Sequence, residues 1–249
     1  PLVPLLLSGM SAMAIVFDFI PLHYPSVYLK HVADRAEYAA RLDALRYYSQ
    51  YICISQWVEG ELNDILANSS GKSSETCVAW PRDTHQASRA ETNSSPAPSG
   101  PIVVMTGDEQ RKNTFGGLAG IAAATSAESH RDVLVVGMAG QSDRVHHWSI
   151  AAAMRPGEAT TAGRLTEQEL DELLTRASCV VVPSFDEGLS LPVIEAARAG
   201  APIVASDIPT HRELLGSHAG ICDPKSPRSI ARAVARARGN ADLARQQHR

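Results

Sequence analysis

Residues 178–200, SCVVVPSFDEGLSLPVIEAARAG, constrain the fold of this chain more than any other stretch. The short continuous apolar run from Cys179 to Val182 reads as a strand buried on both faces, as strands do in a parallel sheet covered by helices. A turn through Pro183, Ser184 and Asp186 follows, and then a helix with Pro192 in its first turn and Gly200 closing it. Strand, tight turn and helix in that order form the repeating unit of an open α/β sheet. Two carboxylates mark the unit. Glu187 stands at the mouth of the turn and Glu195 lies eight residues on. At 1.5 Å per helical residue they are separated by roughly 12 Å along the axis. The unpaired N–H groups near Gly188 to Leu191 favour an anion there. Spacing alone equally permits an ordinary strand–turn–helix with two surface glutamates.

That separation is also about the reach from a sugar to the ribose of a nucleotide-sugar, with the diphosphate between them. The run EGLSLPVIEA resembles the E-x7-E signature of retaining glycosyltransferases with the GT-B fold, family 4, often written EGFGLPxxEA. Leu189 and Ser190 stand where Phe and Gly are usual, and both glutamates are kept. The resemblance runs from about Ile15 to the end of the chain. It implies two Rossmann-like domains facing across a cleft, the first incomplete. It also implies transfer of a sugar from a nucleotide-sugar donor to an acceptor hydroxyl of a glycan or lipid-linked acceptor, with the anomeric configuration retained.

Taken in order, Ala12 to Ile20 reads as a buried parallel strand interrupted by Asp18 and ended by Pro21. VFDFIPLHYPSVY is similar to the family's HDLIPLxxPE stretch on the acceptor side, with Phe17 where a His precedes the Asp. A phenyl ring cannot hydrogen-bond a sugar hydroxyl, so Asp18 is the acceptor-side candidate. Ser26 to Tyr48 carries a helical period. Tyr51 to Ile54 reads as a strand, Ser55 to Leu66 as a helix capped by Ser55, and Thr76 to Trp80 as a further strand. The tyrosines of this half are read as core residues, and His23 as a solvated loop residue.

Residues 86–100 are rich in Ser, Pro and Ala with no apolar period, and read as a linker between residues 1–85 and 101–249. After it comes a strand, Pro101 to Thr106, then GDEQRKN and a helix from about Thr114 to Thr125. Arg111 and Lys112 are placed to reach a phosphate at the carboxyl edge of a parallel sheet, with Gly107 giving close backbone approach, although an Arg-Lys pair alone equally fits two solvated charges. The run resembles the family's GDEPRKN, whose Arg and Lys hold the donor diphosphate. A strand at Val133 to Gly137 and a helix from about Asp143 to Met154 follow. His146 and His147 are adjacent and do not suit a metal pair. Gly163 and Arg164 form a loop that by resemblance borders the nucleobase. Thr166 to Glu169 is a capping box. APIVASD, PTHRELLG, the Cys222 segment and an Ala/Arg-rich helix from Pro227 to Arg238 complete the alternation.

By resemblance, Glu187, Arg111 and Lys112 are the catalytic candidates. Gly107, Gly163, Arg164, Gly188, Leu189, Ser190, Leu191 and Glu195 are the donor-binding ones. No cofactor is expected beyond a UDP-, GDP- or ADP-linked co-substrate. No DxD sequence occurs, which agrees with metal independence. A net charge of -4 argues against nucleic acid as a partner. Cys53, Cys77, Cys179 and Cys222 are far apart and read as reduced residues of a cytoplasmic protein, with peripheral association at the inner membrane face left open. The opening PLVPLLLSGM has no positive region before its apolar run, which is unlike a signal peptide, and the chain reads as a fragment truncated at both ends. Two other readings stand beside the transferase: a non-catalytic nucleotide-sugar binding module, and a nicotinamide-dependent enzyme. The second lacks a GxGxxG after any strand.

Overall fold

A computed structural model describes residues 11–67, 75–79, 100–126, 132–216 and 220–239. Nearly all of the linker segment lies outside the described residues. Contacts divide the chain into two units, Pro1–Gln86 with Glu187–Leu189, and Ala87–Asp186 with Ser190–Arg249.

The first unit holds a parallel sheet of β1 (Met13–Val16), β2 (Gln50–Cys53) and β3 (Glu75–Val78), in that order. Val16, Phe19, Tyr51, Cys53, Val58 and Leu62 form its core. The first strand is shorter than its apolar run predicts. Asp18 accepts the Ile20 N–H at 3.0 Å, and the chain turns there into a one-turn helix, α1 (Ile20–His23). Nor is that strand buried on both faces, since Met13 is 52% and Ile15 59% exposed. The long helix read from 26 to 48 is two helices, α2 (Pro25–Tyr28) and α3 (Val32–Leu45). The break falls at His31, whose backbone is extended and whose N–H is taken by the Asp34 carboxylate at 3.0 Å, an N-terminal capping contact. Helix α4 (Gln56–Ala67) begins as the sequence predicts, with Ser55 Oγ accepting the Val58 N–H at 3.1 Å. Of the tyrosines, Tyr51 enters the core at 2% exposure, its hydroxyl donating to the Leu45 carbonyl.

The second unit is a six-stranded parallel sheet. Its strands in chain order are β4 (Ile102–Met105), β5 (Val133–Val136), β6 (Ala159–Thr161), β7 (Cys179–Val182), β8 (Ile203–Ser206) and β9 (Gly220–Cys222), and their spatial order is β6-β5-β4-β7-β8-β9. This is the doubly wound order, reversing between β4 and β7. Strands β4, β7 and β8 are buried throughout, as continuous Val/Ile runs require in a sheet covered on both faces. The connecting helices are α5 (Thr114–Ala124), α6 (Ser142–Ala151), α7 (Glu167–Arg176), α8 (Leu191–Arg198), α9 (Pro209–Leu215) and α10 (Pro227–Gly239). Strand β6 is the one strand of this sheet that the sequence does not announce. Its three residues, Ala-Thr-Thr, form an edge strand with no apolar run to announce it. The capping box at the start of α7 forms as read, with Thr166 Oγ1 accepting the Glu169 N–H and Glu169 Oε2 accepting the Thr166 N–H.

Helices α5 and α10 pack against each other over one face of this sheet, and small residues make that possible. A Cβ at Gly120 of α5 would fall 2.5 Å from the Ile230 Cβ of α10. Gly120→Val is expected to cost about 1–3 kcal/mol through this clash, read as a lower thermal midpoint. Gly60→Ala, at a position in α4 with nothing within 4 Å, is expected to hold or raise the midpoint.

Candidate functional site

In a doubly wound sheet the crevice at the carboxyl ends of the strands opens where the order reverses, here between β4 and β7. The segments leaving those two strands are the two that the sequence singles out. They are tied together by named hydrogen bonds. After β4 the chain makes a single 3-10 turn, Gln110–Lys112, rather than running straight into a helix. The Phe185 N–H donates to the Arg111 carbonyl at 2.7 Å, and Arg111 Nη1 donates to the Asp186 carbonyl at 3.1 Å.

Asn113 completes the junction. Its backbone is left-handed, with φ 52° and ψ 38°, and it stands between the 3-10 turn and α5. Asn reaches this conformation more easily than most residues that carry a side chain. Its Nδ2 donates to the Pro183 carbonyl at 3.0 Å and to the Pro224 carbonyl at 2.8 Å. Two carbonyl acceptors fix the amide orientation, because only the NH2 group can serve both. One side chain therefore joins the segments that follow β4, β7 and β9. The amide lies over Gly116, where an added Cβ would meet Asn113 Oδ1 at 2.3 Å. Beneath it the Thr106 and Thr114 hydroxyls lie 2.7 Å apart, within hydrogen-bond reach of the Lys112 and Gly107 carbonyls.

The predicted residues take different places. Arg111 is mostly buried, its side chain 14% exposed, and Glu109 Oε2 accepts from its Nε at 2.7 Å. It is a brace for the β7 loop as well as a cation. Lys112 is half-buried beside Gly107, whose added Cβ would touch the Lys112 Cγ at 3.4 Å. The expected 12 Å rise from Glu187 to Glu195 does not apply, because α8 begins only at Leu191 and residues 187–190 are not helical. The surface-glutamate alternative also fails for Glu187, which is 5% exposed. Gly188, grouped with Glu187 and Leu189 in the first unit, has its carbonyl held by Ser55 Oγ at 2.6 Å. A Cβ there would lie 2.3 Å from the Phe17 carbonyl oxygen, so this position requires glycine. Leu191 is 50% exposed at the start of α8. Gly163, with φ 73°, turns the exposed loop after β6, and Arg164 beside it is exposed.

Glu195 lies half-buried on α8, and its carboxyl is pushed above the usual range by burial, with Glu167 adding to the rise and Arg198 opposing it. The thiols of Cys53, Cys179 and Cys222 are pushed up by burial, to about 11, 12 and 12, while Cys77 is exposed. Among the described residues no three His, Cys, Asp or Glu side chains gather as metal ligands, and no helix is long and apolar enough to cross a membrane.

Two residues of this site escape a reading by pattern. Asn113 closes the GDEQRKN run, and an asparagine immediately before an apolar helix was the available signal. His211 is wholly buried in α9. Its Nδ1 lies 3.0 Å from the Ser206 carbonyl and its Nε2 3.1 Å from Ser190 Oγ. Nothing in the local pattern of PTHRELLG distinguishes it from a surface histidine.

Comparison with known proteins gives a consistent result. The profile of the family described as glycosyl transferases group 1 matches residues 100–240. O-antigen chain mannosyltransferase B of Escherichia coli is 30% identical over 124 residues, covering 49% of this chain and 32% of that protein. The chain thus spans about a third of that relative's length. Among solved structures, sucrose-phosphate synthase from Thermosynechococcus elongatus aligns with a TM-score of 0.63 at 20% identity, covering 85% of this chain and 55% of that one. TarM of S. aureus, solved with fondaparinux, alpha-GlcNAc-glycerol and UDP, aligns with a TM-score of 0.67 at 15% identity, covering 83% and 40%. Both share the parallel-sheet α/β fold.

The raised Glu195 pKa means that the native state holds this proton more tightly than the unfolded chain. Glu195→Gln is therefore expected to melt like the wild type below about pH 4, where both states are protonated. Above the native pKa the variant is expected to melt higher. Thermal midpoints at pH 4 and pH 7 check this.

Proposed function

The chain belongs to the glycosyl transferases group 1 family, and from that premise we propose that it moves a sugar from a nucleotide-sugar donor to an acceptor hydroxyl. The donor diphosphate sits at the carboxyl edge of β4 and β7. The observation that carries this reading is the joining of the Arg111–Lys112 turn to the β7 segment by the Arg111, Phe185 and Asn113 hydrogen bonds. Such bonds hold the cationic turn in place before any ligand arrives, and preorganised charge is what stabilises a leaving group.

As the glycosidic bond breaks, negative charge grows on the leaving nucleoside diphosphate. The positive charges of Lys112 and Arg111 and the N-terminal turn of α8 stabilise it. Glu195 accepts the ribose hydroxyls through both carboxylate oxygens, and Glu187 those of the transferred sugar. The backbone of Gly188, Leu189, Ser190 and Leu191 faces the phosphates and sugar, Gly107 allows close approach, and Gly163 and Arg164 border the base. The anomeric configuration is retained by attack on the face from which the phosphate leaves, with that phosphate taking the acceptor's proton. No metal is required, because cationic side chains carry the role. The identity of the O-antigen relative favours a mannosyl donor and a glycan or lipid-linked acceptor. Asp18 offers its second carboxylate oxygen on the acceptor side. A cytoplasmic enzyme working at the inner membrane face fits that acceptor class.

A second reading, a nucleotide-sugar binding relative without turnover, is favoured by one observation: Phe17, 63% exposed, stands where the family signature has histidine. Titration calorimetry with UDP, GDP and ADP separates donor binding from its absence. One nucleotide is expected to bind, and Lys112→Ala and Glu195→Ala each to weaken it about tenfold or more, as loss of a hydrogen bond to a charged group does. Transfer of labelled sugar, unchanged by a chelator, is expected of the transferase; binding without transfer would favour the second reading. Failure of a folded protein to bind any of the three would contradict the donor site.

A further inference from the structure

The start of α8 carries a serine, Ser190, at the position where the family signature has glycine. Serine at a helix start ordinarily turns its hydroxyl onto the helix's own N–H groups. Ser190 makes no such bond. Its carbonyl accepts the Val193 and Ile194 N–H groups, while its hydroxyl lies 3.1 Å from His211 Nε2. On the other side of the ring, Nδ1 lies 3.0 Å from the Ser206 carbonyl. A carbonyl can only accept, so Nδ1 carries a proton, and in the neutral imidazole Nε2 accepts from the Ser190 hydroxyl. All three residues are at 0% exposure. The contact thus runs from the end of β8, through α9, to the residue that opens α8.

We infer that His211 is a positioning residue for the donor site, fixing the N-terminal turn of α8 to the sheet by gripping Ser190. The reasoning rests on the donor reading above. Glycine at this position has no side chain to hold. In this chain the hydroxyl supplies an anchor that glycine lacks, and burial makes it directional, because an unpaired Nε2 or hydroxyl in that setting costs the full desolvation of a polar group. The backbone N–H groups of Ser190 and Leu191 move with that anchor, and on the donor reading they are among those that face the diphosphate. A loosened anchor leaves the helix formed and displaces its donors.

The test measures affinity for UDP, GDP and ADP together with the thermal midpoint, at a temperature well below that midpoint, so that only folded protein is read. Ser190→Ala and His211→Leu are expected to bind the preferred nucleotide about tenfold more weakly, the cost of one buried hydrogen bond. His211→Gln is expected to stay within about threefold, because its amide can donate to the Ser206 carbonyl and accept from the Ser190 hydroxyl. Variants that melt lower yet bind like the wild type would overturn the inference, reducing His211 to a core residue. His211→Gln as weak as His211→Leu would overturn it as well. A wild type that binds none of the three would overturn the donor reading, and this inference with it.

Discussion

One side-chain amide sets the geometry on which the candidate site depends. Asn113 bonds the carbonyls of Pro183 and Pro224 from a left-handed backbone position, and so joins the segments after β4, β7 and β9. A parallel sheet delivers its strand ends to one edge but leaves the loops there to find their own partners. Buried backbone carbonyls must be satisfied. Asn113 satisfies two of them from a third loop. The same constraint explains the small residues beside it, since Gly116 and Gly117 leave room for the Asn113 amide and the Pro183 ring.

Charge is then placed on this frame. Arg111 is anchored to Glu109 and to the Asp186 carbonyl, while its own carbonyl is taken by Phe185. An arginine held this way cannot swing freely, which lowers the cost of ordering it around an anion. Four residues past Asp186, the start of α8 is held by the Ser190–His211–Ser206 contact. Rigid supports for the 3-10 turn and the helix start place cation and N–H groups without help from the ligand. Glu195 bears a cost for its position, since burial raises its pKa while no cation neutralises it fully.

How much of this was legible depends on the scale of the signal. The central sheet announced itself, because Ile102–Met105, Cys179–Val182 and Ile203–Ser206 are apolar runs that only a two-sided sheet can bury. Sequence motif singled out Arg111, Lys112, Glu187 and Glu195, and the structure places them on the segments that leave β4 and β7. Three features stayed hidden for physical reasons. Strand β6 gains its place by pairing with β5, not by its own composition. Helix α8 starts late, so an ideal rise from Glu187 overstates its regularity. Asn113 and His211 act through partners 70 and 21 residues away, and no local period encodes such pairs.

Amide hydrogen exchange of Asn113→Ala against the wild type tests the claim most directly, because it needs no ligand and reads each loop separately. The structure predicts faster exchange in both the 184–190 and 223–226 segments, with β4, β7 and β8 still protected. Unchanged exchange in both segments would show that the loops hold their places without the amide, and would contradict the account.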